Sequence, residues 1–342
     1  MNALERWRLP RPGLTEAQRF LAISILIGLF TGLMVVCFHI AIDFVSWYWL
    51  GATAGRMRYG RLVSPTLGAL AALFLVTRVF PAARGSGVNQ TKAALYISNG
   101  YVPRSTIAGK FLACSVAIGS GNSLGPEDPS LQMGAGVASL LGRVFRLGRD
   151  NMRMIVPVGA ASGIAAAFNT PITGVLFVME EVIAAWSAAV LGSILLSAVS
   201  AVVVVRWFLG DQPLFSVPVF ELRHTSELAV YAAIGVAGGL LSAGFVKLIG
   251  LVRERLDKLP GRSIWMQAGG AGLTVGAVGL WFPEVMGAGY EAIDNALHGR
   301  FGWPVLLQLG LFKMAVTALC FSARIPGGMF APTLFIGAMI GG

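Results

Sequence analysis

Charge is scarce in this chain. Asp, Glu, Lys and Arg supply 12% of its 342 residues, about half the share of a typical soluble domain, while apolar residues supply 56%. Water therefore cannot be the solvent for most of the surface. Long polar blocks are missing too: apolar runs recur from about residue 20 to residue 342, which leaves no soluble domain at either end. Cys37, Cys114 and Cys320 are odd in number, sit inside apolar runs and lack ligand spacing. They imply neither a disulfide framework nor a zinc site, and read as small buried hydrophobes. His39, His224 and His298 show no metal-like spacing, and neither a metal site nor a cofactor is implied. Walker A, H-E-x-x-H, G-x-S-x-G and dinucleotide fingerprints are all lacking. An intramembrane enzyme would need a nucleophile and a base within apolar segments. Only His39 lies in a strong apolar run, and no serine has a motif context.

The charge that is present is biased. Twenty-six basic against 16 acidic residues give a net +10, but no basic stripe is interleaved with aromatics, so nucleic acid is not the implied partner. The basic residues gather in short loops, as the positive-inside rule requires of a multi-pass protein in the bilayer of the inner membrane. Arg6, Arg8, Arg11 and Arg19 precede the first apolar run, and Arg143, Arg146, Arg149 and Arg153 fill a later loop. Both groups are expected to face the cytosol, with a cytosolic N-terminus. The run over residues 20–42 is too long for a secretory signal and no small-residue cleavage site closes it, so it reads as the first membrane helix.

Strong apolar segments fall near 20–46, 65–80, 152–186, 187–209, 227–252, 265–282, 304–321 and 328–342, while 105–142 is apolar but interrupted by glycine and proline. Several are too short or too broken to span about 30 Å as simple helices. Broken membrane helices are tolerated where the freed backbone groups line a polar cavity, the usual setting of a transporter's binding site.

The sequence also repeats itself. Ile27, Gly28, Gly32, Leu33 and Phe38 recur 207 residues later as Ile234, Gly235, Gly239, Leu240 and Phe245. Phe80, Pro81, Gly85 and Gly87 recur 202 later as Phe282, Pro283, Gly287 and Gly289. Lys110, Gly125, Pro129, Leu131 and Gly134 recur 203 later as Lys313, Gly328, Pro332, Leu334 and Gly337. Three collinear matches at nearly one offset indicate a duplication. The expected organisation is a cytosolic segment over 1–19, a first membrane repeat over 20–210, a linker over 211–226 and a second repeat over 227–342. On that arithmetic a complete second copy would end near 415, and the chain reads as a fragment lacking the partner of 140–210.

The most informative stretch is 119–134, GSGNSLGPEDPSLQMG, which sets Glu127 and Asp128 between Pro126 and Pro129 in otherwise apolar sequence. A carboxylate at membrane depth costs about 2.5 to 3.5 kcal/mol on insertion scales and marks a functional site by default. Proline beside glycine suggests a helix start, where free N–H groups and the helix dipole favour an anion. Glu127 would then sit where an anion should, as a tethered competitor for it. The plain alternative is a polar interfacial loop with Asp128 as an N-cap. The repeat partner over 328–337, GMFAPTLFIG, keeps the break but has Phe330 in place of Glu127. Two symmetry-related helix starts would converge on one site, with the amides of Met329 and Phe330 open to the anion. Gly85, Ser86 and Gly87 form a third break, where a hydroxyl flanked by glycines can approach an ion closely, or simply make a turn. Glu180 and Glu181 close the apolar run over 171–179, either as water-facing helix-end groups or as a cytosolic proton acceptor.

With these residues in hand, the chain resembles the CLC family of chloride channels and proton-coupled chloride antiporters, in its prokaryotic form. The family's three loops, GSGIP, GREGP and GGIFAP, are similar to residues 85–89, 125–129 and 327–332, and GAASGIAAAFNTPITGVLFVMEE over 159–181 resembles it closely as well. The resemblance implies an all-α integral membrane protein, an inverted-repeat bundle of tilted and broken helices with its second repeat incomplete, and a homodimer with one pore per subunit. Chloride and protons would be its substrates. Ser86, Gly87 and the amides of Met329 and Phe330 would hold the anion, Glu127 would be the gating glutamate, and Glu181 would match the antiporters' internal proton glutamate. Gly85, Gly125, Pro129, Gly328 and Pro332 would form the helix breaks. A passive channel of the same fold is the alternative, and a fluoride/proton antiporter a further one. Three positions depart from the pattern: Asn89 stands for a proline, Pro126 for an arginine and Asp128 for a glycine. The last two should weaken anion binding beside Glu127.

Overall fold

The computed structural model describes residues 15–51, 58–184, 188–218, 224–259 and 263–342. Arg6, Arg8 and Arg11, and residues 219–223 of the expected linker, lie outside the described residues. Among the described residues the chain forms thirteen α-helices and no strand, with one isolated bridge between Gly125 and Gly328. In order they are α1 (Glu16–Leu50), α2 (Arg58–Phe74), α3 (Gly87–Tyr96), α4 (Arg104–Gly119), α5 (Glu127–Val144), α6 (Arg149–Phe168) and α7 (Pro171–Phe177), then α8 (Ala188–Leu209), α9 (Glu227–Asp257), α10 (Ser263–Gly279), α11 (Tyr290–Leu297), α12 (Trp303–Ser322) and α13 (Phe330–Gly341).

Helix length follows from where the sequence stops each run. Among the described residues six helical segments are long and apolar enough to cross a membrane: α1, Gly60–Val79, α6, Val190–Leu209, α9 and α12. The chain is an integral membrane protein. Thr15 starts α1 with a capping box, its hydroxyl accepting from the Gln18 amide while the Gln18 side chain accepts from the Thr15 amide. The 35 residues of α1 would be about 52 Å long, well beyond the hydrocarbon thickness, so the helix must tilt or project. The stretch 105–142 does the reverse. It breaks at 120–126 into α4 and α5, of 16 and 18 residues, about 24 and 27 Å, and neither crosses alone with margin.

The segment 152–186, expected as one apolar run, is also broken. Asn169 ends α6 in the left-handed region at φ 56°, and Thr170 is extended ahead of Pro171, whose ring disfavours a helical residue before it. The cysteines divide as well. Cys114 and Cys320 are buried as expected, but Cys37 is exposed. In lipid an outward helix face is as apolar as an inward one, so an apolar neighbourhood in sequence does not locate the core.

The repeat is visible as symmetry. Gly125 donates its N–H to the Gly328 carbonyl at 2.8 Å and Gly328 returns the bond to the Gly125 carbonyl at 2.7 Å. These two residues are equivalents in the 203-residue offset. A residue can bond its own copy in both directions only across a two-fold axis, which makes the copies antiparallel there, as an inverted repeat requires. The buried lysines obey the same relation. Lys110 donates to the Gly85 carbonyl at 2.6 Å, and Lys313 to the Gly287 carbonyl at 2.7 Å and the Val285 carbonyl at 2.9 Å. At the surface, the Ser216 hydroxyl and amide both donate to Asp294, which ties the segment after α8 to α11 and holds that carboxyl below the usual carboxylate range.

Candidate functional site

The broken helices place their free ends around a common interior. α5 begins at Glu127 directly after Pro126, and α13 begins at Phe330, so both glycine–proline motifs do start helices. The reciprocal Gly125–Gly328 bonds clamp the two starts together. Glu127, 2% exposed, turns its carboxylate onto the other copy: Oε1 accepts the Phe330 N–H at 2.6 Å, while Oε2 is buried with no hydrogen-bond partner. That amide is one of the free donors at the start of α13, where backbone dipoles favour negative charge. Of the two amides named from sequence, it is Phe330's that is engaged. A Cβ at Gly328 would overlap the Glu127 carboxylate, so a larger residue there would evict it.

Two large cavities border the start of α5. The first, about 850 Å³, is lined by His39, Asp43, Arg61, Pro126, Glu284 and Tyr290 among others. The second, about 510 Å³, is lined by Ser86, Glu127, Asp128, Glu181, Arg253 and Phe330 among others. Pro126 lines the first and Glu127 the second, so neighbouring residues at the start of α5 border both cavities. The Phe330 ring packs on Phe168 and Phe177, with centroids 5.2 and 5.9 Å away, which narrows the second cavity beside the carboxylate. A third cavity of about 260 Å³ shares Ser86, Arg253 and Gly327 with the second and adds Arg84 and Arg324.

Ser86, Glu127, Met329, Phe330 and Glu181 thus line one cavity although Ser86 and Phe330 are 244 residues apart in number. Glu181 lies toward its edge, half exposed, and its Oε1 pairs with the Lys92 ammonium at 2.6 Å. Glu180 does not line it. Gly85 and Gly87 shape the loop that presents Ser86. Gly85 has φ +96°, and a Cβ at Gly87 would overlap Asp128.

Two residues of this site carry more than the sequence argument gave them. Asp128 does not follow Glu127 onto α13. Its carboxylate accepts from the Gly87 amide at 2.7 Å, the Val88 amide at 3.0 Å and the Ser86 hydroxyl at 3.1 Å, all at the start of α3. Lys110, fully buried, brings its ammonium within 3.7 Å of the same carboxylate. The signal for Lys110 was available, since a lone lysine in an apolar segment with a copy 203 residues later has to find a partner.

Three comparisons bear on the identity of this arrangement. The sequence pattern of the family described as voltage gated chloride channel matches residues 68–342. A putative chloride channel protein, ClcB-like, from Ralstonia nicotianae is 33% identical over 94% of this chain and 77% of its own length. An H+/Cl− exchange transporter, ClcA, from Vibrio cholerae is 31% identical over 94% of this chain and 71% of its own. Among solved structures, a slow cyanobacterial Cl−/H+ antiporter superposes with a TM-score of 0.84 at 23% identity, covering 95% of this chain and 78% of that one. A CLC-type fluoride/proton antiporter gives 0.79 at 20% identity, covering 94% and 80%. Those two likenesses concern the fold. The family match across four-fifths of the sequence, on a chain whose helix breaks meet about a two-fold axis, makes this protein a member of the voltage-gated chloride channel family.

Proposed function

We propose that this protein exchanges chloride for protons across the membrane, with Glu127 as the gate. The observation that carries the reading is the Glu127 carboxylate seated on the Phe330 amide in the wall of the 510 Å³ cavity, next in sequence to the Pro126 that lines the first cavity, where an anion in transit would take the same donor. Ionised, the side chain is a tethered anion that fills the position. Protonated, it has no charge to hold it at the helix start, and chloride can take the Phe330 and Met329 amides in its place. Each visit of chloride is thereby linked to a proton on Glu127. The unpartnered Oε2 atom is where that proton can be carried.

Glu181 supplies the route to water on the side of the arginine-lined cavity. It shares the second cavity with Glu127, and its pairing with Lys92 at the half-exposed edge keeps it within reach of solvent. The names of the relatives support exchange, since one is an H+/Cl− exchange transporter. In this reading the protein resides in the inner membrane with a cytosolic N-terminus, and acts as a homodimer with one pathway per subunit. The side chain of Arg19 donating to the Phe145 carbonyl supports that orientation, because it places Arg19 beside the loop that holds Arg143, Arg146 and Arg149.

The test is flux from vesicles loaded with chloride, read by a chloride electrode and a pH probe together. Wild type should move protons against the chloride gradient. Glu127→Gln, which removes the charge at nearly constant shape, should still pass chloride but lose proton movement. Glu181→Gln should cut proton movement by about tenfold or more while chloride continues to move. Wild type passing chloride with no proton response would make the protein a passive channel. Wild type passing no chloride would overturn the reading.

A further inference from the structure

Glu127 and Asp128 are neighbours in sequence, yet they serve different helices. Successive side chains on a helix diverge by about 100°, so when Glu127 faces α13, Asp128 is turned toward α3. There its two oxygens take up the Ser86 hydroxyl and the amides of Gly87 and Val88. These are the donors that the first loop would offer to a transported anion. Asp128 is 9% exposed and lines the same 510 Å³ cavity as Ser86 and Glu127.

The second repeat shows that the fold does not need this carboxylate. Lys313 repeats Lys110 and holds the Gly287 and Val285 carbonyls as Lys110 holds that of Gly85. At the position equivalent to Asp128, 203 residues on, stands Ala331. The loop and its buried lysine therefore close in the second copy without an acid. In the first copy the acid adds a negative charge 3.7 Å from the lysine ammonium and engages the free donors at the start of α3.

We propose that Asp128 is a second tethered anion, which holds the Ser86 hydroxyl and the α3 amides against the transported anion and thereby sets the affinity of the anion site at Ser86. The inference rests on the chloride-transport reading above. Chloride arriving at Ser86 must displace the Asp128 carboxylate or bind without those donors, and in either case it binds more weakly than at an open loop. Glu127 guards the start of α13 in the second copy and Asp128 the start of α3 in the first, so each carboxylate occupies the donors of a different helix start. Glu127 is the proton-linked gate in this scheme, whereas Asp128, stapled by three donors and a lysine, sets occupancy.

Chloride titration of the purified full chain, followed by calorimetry, tests this. Asp128→Gly should tighten chloride binding about tenfold, because chloride then meets charge-favouring donors already in place. In the Ser86→Ala background the same substitution should gain less than about threefold, because one of the released donors is gone. A role confined to holding the loop would give a different pattern: binding unchanged or weaker in Asp128→Gly, with no dependence on Ser86. Either of those results in a monodisperse protein overturns the proposal. Should Asp128→Gly fail to fold, Asp128→Ala, the residue present at the equivalent position of the second copy, carries the same comparison, and failure of both to fold assigns Asp128 to the scaffold and also overturns it. Wild-type chloride flux separates the two levels of the argument. Normal flux with unchanged affinity in the variants sinks the role of Asp128 alone, and absent flux sinks the chloride reading with it.

Discussion

Two lysines, Lys110 and Lys313, have no exposed surface at all, although ammonium groups are among the most costly to take out of water. Each is met by backbone carbonyls of the glycine loop in its own repeat, and Lys313 also lies over the Phe335 ring at 4.8 Å. Only Lys110 has a carboxylate beside it. Removing its charge would leave Asp128 buried with its counter-ion gone, so Lys110→Met should destabilise the protein by about 3 kcal/mol or more. Lys313→Met strands carbonyls but no partner charge, and should cost less, about 1 to 3 kcal/mol. Thermal unfolding in detergent ranks the two, and an equal or reversed order would show that the Asp128 pairing contributes nothing to the difference. The position of Glu127 at a helix start was legible in the sequence from Gly125, Pro126 and Pro129. The destination of Asp128 was not, because adjacent side chains on a helix point to different neighbours and nothing in a linear sequence says which neighbour waits there.

The same glycine pair occurs on α1 and α9 with opposite consequences. On α1, a Cβ at Gly28 would overlap the Ser197 carbonyl and one at Gly32 would lie 2.6 Å from the Ala201 carbonyl, so α1 and α8 touch backbone to backbone. On α9, Gly235 and Gly239 have nothing within 4 Å of a Cβ. Gly32→Leu should therefore lower the stability of this chain by several kcal/mol, about 3 or more, since no small movement of α8 accommodates it. Gly239→Leu should be neutral or slightly stabilising, by up to about 1 kcal/mol from helix propensity. Melting curves of the two variants decide, and a large loss at Gly239 would reveal a contact on α9 that this chain's own helices do not make. Helix existence was legible from apolar length for the long helices but not for α3 and α11, which lie outside every apolar segment read from the sequence. The break of the segment 152–186 at Asn169 and Thr170 was less so, because its only local marks were Asn, Thr and Pro at the end of a long apolar run.

On the scale of the whole molecule the charge is uneven: the first cavity is lined by Asp43, Glu284 and Glu291 with Arg61, while the cavity beside Ser86 is lined by arginines. Arg84, Arg253 and Arg324 line the 260 Å³ cavity that joins Ser86 to the surface, and Arg324 is partly neutralised by Asp257 at 2.6 Å while Arg253 lies over the Phe321 ring at 6.0 Å. A cleft lined by one sign of charge raises the local concentration of the opposite ion, an effect that salt screens. Arg253→Gln should reduce chloride flux about threefold at low ionic strength, and the difference should shrink as an impermeant salt is added to about 0.5 M. A salt-independent loss would mean that Arg253 acts by shaping the cavity instead. The sequence by itself determined that this chain lives in a membrane, that it is built as a duplication and that its helices break at glycine–proline loops, because apolar length, repeated spacing and backbone restriction are properties of the linear chain. Only the tertiary structure decided which donor each carboxylate takes, that Phe330 receives Glu127 while Ser86 receives Asp128, and that α1 finds a partner for its glycines while α9 does not. The first of those outcomes depends on which helix starts the two-fold axis brings face to face, since Glu127 and Phe330 belong to different copies 203 positions apart, whereas the Ser86–Asp128 contact and the α1–α8 packing are decided by how the first copy folds on itself.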